Sequence, residues 1–447
     1  MSNDYDVIII GGGFTGLVAS YFLSIQGKRV CILEKDDDIG GLARSFKINS
    51  KDSLERFYHH WFNNDLHILN FIEEIDLSHN IIEKKSKTGM FFAKRFYKLS
   101  TPLDLLLFSA LPFIDRVRLG LLTFKARGIN NWHELEDISA KDWLISNSSK
   151  NIYRVVWEPL LKGKFGRQAE KISAVWIWNK LKLRGGSRNK KGSETLLYYK
   201  GGFDSLLKSI KKILTTKGVD IYLNSDVKML LHNNNRITGV RTNKVNFLSE
   251  TVISTAPLPV FSEIFKKSSF SEGKQIKEFI NKVSKIKYIG NICLVLILNK
   301  SLSSTYWTNV NDPDFPFVGI IEHTNFDDKG NYSDKYVVYL SKYLPTSDKL
   351  YSFSAEQFLE YSIPYIQKMF KDFSKDWIED SFLWREPYSQ PIVTKNYSKV
   401  IPQVRTPVEG LFLSCMAQIY PEDRGTNYAV RQGQEVSKEV LRFMEGT

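Results

Sequence analysis

The sequence predicts an α/β fold: a three-layer domain around a parallel sheet, a second and discontinuous α+β domain, and a mainly helical insertion. Three observations predict it. The N-terminal residues read strand, helix, strand. Two later segments, near residues 252 and 411, return to short, buried, apolar strands of the same kind. Between them lie a helix-rich stretch and then a run of longer strands.

Val7–Ile10 is a β-branched apolar run, suited to a strand buried on both faces. Gly11, Gly13 and Gly16 follow in G-x-G-x-x-G spacing, with Phe14 and Thr15 inside the turn. Leu17 to Ile25 has helical spacing and Gly27 ends it. Arg29–Leu33 forms the second strand and leads into Glu34 and Lys35. Gly11 permits the tight turn, Gly13 lets the backbone approach a pyrophosphate, and Gly16 lets helix and strand pack closely. The helix N-terminus offers N–H groups and a positive dipole end to phosphates. Glu34 stands where a carboxylate would hold both ribose hydroxyls and repel a 2′-phosphate, which disfavours NADP. The unit reads as a Rossmann-like dinucleotide site.

Gly40, Gly41, Leu42, Ala43, Arg44 and Ser45 follow shortly after. Here the chain resembles the FAD enzymes that include amine oxidases, protoporphyrinogen oxidases, phytoene desaturases and UDP-galactopyranose mutases. The resemblance implies FAD as cofactor, with this G-G-x-x-x-[ST] segment lying along the pyrophosphate and ribityl chain. Arg44 would put a cation near the phosphates or the flavin.

A chain of 447 residues should hold two or three domains. At 43% hydrophobic and 25% charged it has the composition of a globular protein, and 13% aromatics suit either a large ligand cleft or core filling. Cys31, Cys293 and Cys415 sit far apart in apolar runs and read as buried free thiols of a reducing, cytoplasmic compartment, with no zinc spacing. The chain enters its first strand by Val7, so no signal peptide is expected. The net charge of +13 would suit nucleic acid, an anionic membrane or an acidic substrate. The lysines are scattered and no nucleic-acid motif is present, which argues against nucleic acid. Leu105 to Ile114 is uncharged but too short to span a bilayer. With Arg116, Arg118, Lys125 and Arg127 behind it, 105–127 reads either as a buried helix or as a peripheral membrane contact.

His59 and His60 are adjacent, and neighbours on a strand point to opposite faces, so one would face a ligand while the other packs. No acid or cysteine stands at ligand spacing, and no metal is expected. The segment resembles the histidine-containing stretch of UDP-galactopyranose mutases, which implies a histidine beside the flavin. Residues 66–195 break the strand–helix alternation and read as a mainly helical insertion in the substrate region, with a hairpin at Gly89–Leu99. Within it, Lys164, Phe165 and Gly166 resemble the K-[QF]-[WF]-G segment of the same mutases. Trp157, Trp176, Trp178 and Arg184 would add an aromatic wall beside a cation, fit for a uridine diphosphate or another planar anion. They read equally as an aromatic domain-interface core with a solvated Arg184.

Gly201 and Gly202 open a helix, and a strand runs on to Val227, whose backbone the resemblance pairs with adenine. Thr251–Pro257 is a buried strand that the resemblance returns to the cofactor at Thr255 and Ala256. Residues 261–399 read as an antiparallel-sheet substrate domain. Its strands would set Glu322, His323, Asn325, Arg385, Tyr388 and Gln390 along a polar wall. His323 suits general acid/base work by its near-neutral pKa, or else pins a loop. After the strand Leu411–Ser414, Thr426 or Asn427 would cap a last helix whose first N–H groups lie over the flavin. Cys415 and Met416 stand where the family carries glycine and then an acid or arginine. Met416, Asp423, Thr426, Asn427 and Tyr428 are the expected cofactor contacts at this end, with Arg424 and Tyr420 as further polar candidates.

The cofactor domain is thus expected in three pieces, 1–65, 196–260 and 400–447. The resemblance implies an FAD-dependent oxidoreductase that moves hydride from a substrate carbon to flavin N5. The alternative is an isomerase like UDP-galactopyranose mutase, using reduced FAD on a nucleotide sugar with no net redox change. His59, His60, His323 and Arg385 are the catalytic candidates. The substrate would be a small molecule, with nucleotide sugars and lipid-linked sugars among the classes considered.

Overall fold

Five parallel strands run in the order Asp220–Tyr222, Val30–Leu33, Val7–Ile10, Val252–Ser254 and Leu411–Leu413. This computed structural model describes residues 4–186, 195–270 and 273–446. The strands are apolar throughout because both faces of the sheet are covered. Val7, Ile9, Val30 and Ile32 share a core with Leu17, Phe203, Leu206, Val430 and Val436, which come from the helices Phe14–Ser24, Gly202–Thr216 and Thr426–Glu445. Ile8, Ile10, Cys31 and Leu33 share the other core with Leu230, Ile237, Val240 and Phe247 of a three-stranded antiparallel meander, Val227–Leu248. The first helix begins at Phe14 rather than Leu17, because Gly13 already occupies its N-cap.

A second sheet of seven strands runs Ile378–Pro391, Tyr288–Leu298, Tyr336–Leu344, Gly319–Glu322, Trp307–Val310, Thr88–Phe92 and Arg95–Lys98. All neighbours are antiparallel except Trp307–Val310 and Thr88–Phe92. The stretch 66–195 therefore supplies a hairpin to this sheet besides its helices, and Ile81–Lys85 pairs with Thr195–Tyr199. Those pairings join residues far apart in sequence, which helical periodicity does not register. Cys293, Val295 and Ile297 face the core shared with the parallel sheet, whereas Ile292, Leu294 and Leu296 pack toward the helix Ala355–Met369. All three cysteines are free and buried. No helix among the described residues is long and apolar enough to cross a membrane.

Candidate active site

A cleft open at its mouth lies at the carboxyl ends of the parallel strands. Parallel α/β sheets bind ligands there, where the chain turns to opposite sides of the sheet. Gly11 sits at this point with φ +106°, and the Thr255 backbone N–H and hydroxyl both donate to the Ile10 carbonyl, at 2.9 and 2.8 Å. A β-carbon on Gly16 would meet the Gly11 carbonyl at 2.2 Å, so Gly16 fixes the helix start without lining the cleft. A β-carbon on Gly41 would meet the Gly13 Cα at 3.3 Å, and the two glycines hold their backbones together on the cleft wall.

Glu34 is buried on this wall and accepts the Gly12 and Asp36 N–H groups at 2.6 and 2.9 Å. Lys35 lies exposed at the rim, while Leu42, Ala43, Val227 and Ala256 line the interior. Arg44 is nearly buried and pairs with Asp36 at 3.3 Å and Asp37 at 2.9 Å. Phe14 and Thr15 reach the cleft from the first turn of their helix, and Gly425 and Thr426 from the start of the last. Neither helix N-terminus has a side-chain cap.

That last point corrects the expected cap. Gly425 holds the cap position. The Thr426 hydroxyl accepts the Trp61 indole N–H at 2.8 Å, and the Asn427 amide oxygen accepts the Ile68 N–H at 3.1 Å. Both side chains are drawn to neighbouring segments instead of their own helix. Of the two, only Thr426 lines the cleft. Tyr428 lies off it with the Arg431 guanidinium 5.0 Å over its ring.

Arg56, Phe57, His59, Arg385, Glu386, Tyr388, Met416 and Arg424 also line the cleft. Of the histidine pair, His59 faces the cleft. Its Nδ1 lies 2.6 Å from the Phe57 carbonyl oxygen, which makes that nitrogen the donor and leaves Nε2 as acceptor. Burial pushes the imidazole down to about 4, and the nearby Arg424 charge acts the same way. His60 turns away and packs edge-on against Phe62, Tyr306 and Trp307, with Nδ1 3.0 Å from the Tyr306 hydroxyl. Arg385 borders the cleft but donates to the Tyr351 carbonyl at 2.7 Å and also to the Phe353 carbonyl.

Behind Arg424 lies a buried charge network. Asp423 meets Lys180 at 2.6 Å and Lys164 at 3.6 Å, and accepts from the Trp176 indole and the Gln390 amide, both at 3.0 Å. Gln390 in turn accepts from Arg424 Nε at 2.9 Å, and Arg424 donates to the Tyr343 hydroxyl at 2.9 Å. Burial alone would raise the Asp423 carboxyl, but Lys180, Lys164 and Arg424 outweigh it and hold the group well below the carboxylate range. Asp423 and Gln390 therefore orient Arg424 rather than line the cleft themselves.

Several expected site residues lie elsewhere. His323 is fully buried, with Nε2 2.8 Å from the Tyr332 hydroxyl, which donates to Asp327 at 2.9 Å. Burial pushes this histidine to about 4 as well. Glu322 accepts from the Ser301 hydroxyl and from the Leu302 and Ser303 N–H groups, and Asn325 donates to the Ser303 and Thr305 carbonyls. The segment 322–325 is a clamp on a loop, not a catalytic wall. Trp178 donates to the Ala126 carbonyl at 2.8 Å within helix packing. Trp157 is half-buried among helices, and Phe165 is buried edge-on against Trp176. The Arg184 side chain lies outside the described residues.

Arg56, Phe57 and Glu386 were not anticipated. Arg56 and Phe57 precede the histidines in the same short segment, and a run of site residues there is a signal that reading for histidine alone overlooks. Glu386 neighbours Arg385 and should face away from it. Arg385 and Glu386 keep regular pairing with Ile292 and Asn291, a register shift follows between Glu386 and Gln390, and Arg385, Glu386 and Tyr388 all border the cleft. Among the described residues no group of three His, Cys, Asp or Glu side chains is placed to hold a metal.

The model of the family "flavin containing amine oxidoreductase" matches residues 14–441. A UDP-galactopyranose mutase of Mycoplasma genitalium is 33% identical over 108 residues, which are 22% of this chain and 26% of that enzyme. A provisionally designated protoporphyrinogen oxidase from Exiguobacterium sp. 255-15 superposes with TM-score 0.76 at 16% identity, covering 98% of both chains. A reduced UDP-galactopyranose mutase superposes with TM-score 0.76 at 14% identity, covering 98% of this chain and 94% of its own.

Proposed function

The chain belongs to the flavin containing amine oxidoreductase family, with FAD as its cofactor, and from that premise we propose that it is an oxidoreductase. When bound, FAD supplies a ring nitrogen, N5, that accepts hydride from a substrate carbon. The donor set fits this group. Gly11, Gly13 and Gly41 leave the backbone open where a pyrophosphate would rest, and Glu34 offers a carboxylate for ribose. Arg44 would balance phosphate charge, and Val227 would meet the adenine with its backbone.

The observation that carries the redox reading is the second uncapped helix N-terminus, at Gly425 and Thr426, opening on the same cleft as the first. A helix start favours negative charge beside it, as a reduced ring would carry. His59, neutral and with Nε2 as acceptor, would take a hydrogen bond from a substrate donor in the cleft. Arg424, held by Gln390 and Tyr343, would orient an anionic group of the substrate.

A second reading is a nucleotide-sugar mutase without net redox change. Arg424 favours it: the cation missing at Met416 is supplied eight positions later, on the cleft. An anaerobic panel of amines, polyenes and sugar nucleotides, scored by loss of oxidised-flavin absorbance, tests the two. Bleaching by one class supports the oxidoreductase. No bleaching, with turnover of a sugar nucleotide only after dithionite reduction, replaces it by the mutase.

A further inference from the structure

We propose that the helical segment 102–128 seats the protein on the surface of an anionic lipid bilayer. This rests on the outer surface and is independent of the reaction assigned above. Among the described residues thirteen large hydrophobic side chains are well exposed, and seven of them fall between Leu103 and Phe124. Leu107 is 67% exposed, Phe113 66% and Phe124 69%. Phe96, at the hairpin edge packed beside the helix Pro102–Leu106, is exposed as well.

The helix Phe113–Gly128 buries Asp115, Leu122 and Ala126 on one face. At about 100° per residue, Phe113, Ile114, Leu121 and Phe124 fall within an arc of roughly 100° on the opposite face. A surface helix ordinarily carries polar residues there. Here Arg118 and Lys125 flank the apolar arc on one side and Arg127 on the other. Arg116 donates to the Leu106 and Leu111 carbonyls at 2.6 and 2.7 Å, which locks the preceding turn against this helix.

The charges decide what covers the face. Lys94, Arg95, Lys98, Arg118, Lys125 and Arg127 are exposed around it. The two acids between 94 and 127 are engaged inward: Asp104 accepts the Ser100 and Thr101 N–H groups, and Asp115 pairs with Arg118 and Asn151. Asp312 stands at the hairpin tip, where its carboxylate accepts the Ala93 and Lys94 N–H groups at 2.7 and 3.1 Å. An apolar stripe with this predominantly cationic border matches an acyl and headgroup boundary of negative charge, entered by about 5–10 Å. A two-fold contact with another copy would set these cations against one another.

The test is sedimentation of the FAD-loaded full chain with vesicles of phosphatidylcholine, with or without phosphatidylglycerol. Wild type should sediment with the anionic vesicles, less so as salt rises. Joint Leu107→Ser, Phe113→Ser and Phe124→Ser substitution should lower that partitioning by about tenfold or more. Arg118→Gln with Lys125→Gln should weaken it and flatten its salt dependence. Flavin absorbance and melting temperature identify any variant that fails to fold, and the charge variant then decides. The proposal is overturned if wild type stays in the supernatant at low salt, or if folded variants bind like wild type. It is equally overturned if size-exclusion shows a wild-type dimer that the triple substitution splits, since the face would then join two copies.

Discussion

A β-carbon added to Gly11 would stand 2.4 Å from the Thr255 hydroxyl oxygen, although the two residues are 244 positions apart. Two strand ends thus close on one point, with a backbone conformation at Gly11 that side chains rarely adopt. Gly11→Ala should cost about 1–3 kcal/mol in strain and strip FAD from the purified protein. The ratio of flavin to protein absorbance reads this directly, and an unchanged ratio would contradict it.

Asp423 gathers Lys180, Lys164, Trp176 and Gln390 into one buried knot. Asp423→Asn keeps the shape and removes the charge. Lys180 is itself about a third exposed, so solvent screens part of the loss. A destabilisation of about 1–3 kcal/mol in urea unfolding is expected. The penalty should fade at acid pH. The native carboxyl titrates below its unfolded value, so its contribution is present above an unfolded pKa of about 3.9 and is lost as pH falls through the lower native value. A penalty that stays constant into strong acid would remove this account.

His323 is held neutral in the core, pushed from 6.5 down to about 4 by burial. Between those values the unfolded chain binds the proton and the native state does not. Stability should therefore drop as pH falls from about 6.5 toward 4, by an amount on the order of 1–3 kcal/mol. Melting temperatures across this window, compared with His323→Gln, measure it. Identical pH slopes in the two proteins would count against the assignment.

Arg424 lines the cleft with its charge reinforced by Tyr343 and Asp423, which outweigh the cost of burial. Arg424→Met should lower the flavin midpoint potential by about 30 mV or more, equivalent to about 1.4 kcal/mol for two electrons, without reducing FAD content. A dye-coupled reductive titration reports the potential. No shift would place Arg424 away from the ring.

The cofactor side of the molecule was legible because its signals are local. Turn glycines, β-branched strands and an acid after the second strand all lie within one short stretch. The adjacent histidines gave the right geometry, one in and one out, but only packing against Tyr306 and Trp307 shows which is which. The substrate side depends on partners that spacing does not contain. Glu322, His323 and Asn325 look catalytic in sequence, yet each meets a hydrogen-bonding partner that residue types alone do not reveal. Thr426 and Asn427 are good caps in principle and are recruited by Trp61 and Ile68. The register shift near Glu386 leaves no mark in a pattern of alternating residues.

The three buried thiols have a use as clocks. Cys31 lies on the second strand of the parallel sheet, Cys293 inside the antiparallel one and Cys415 beside the last parallel strand, and none is more than 2% exposed. Burial pushes all three thiols up, Cys415 to about 12. A maleimide reagent therefore meets them only in molecules that have opened. Mass mapping of the order in which the three are alkylated would show which sheet yields first.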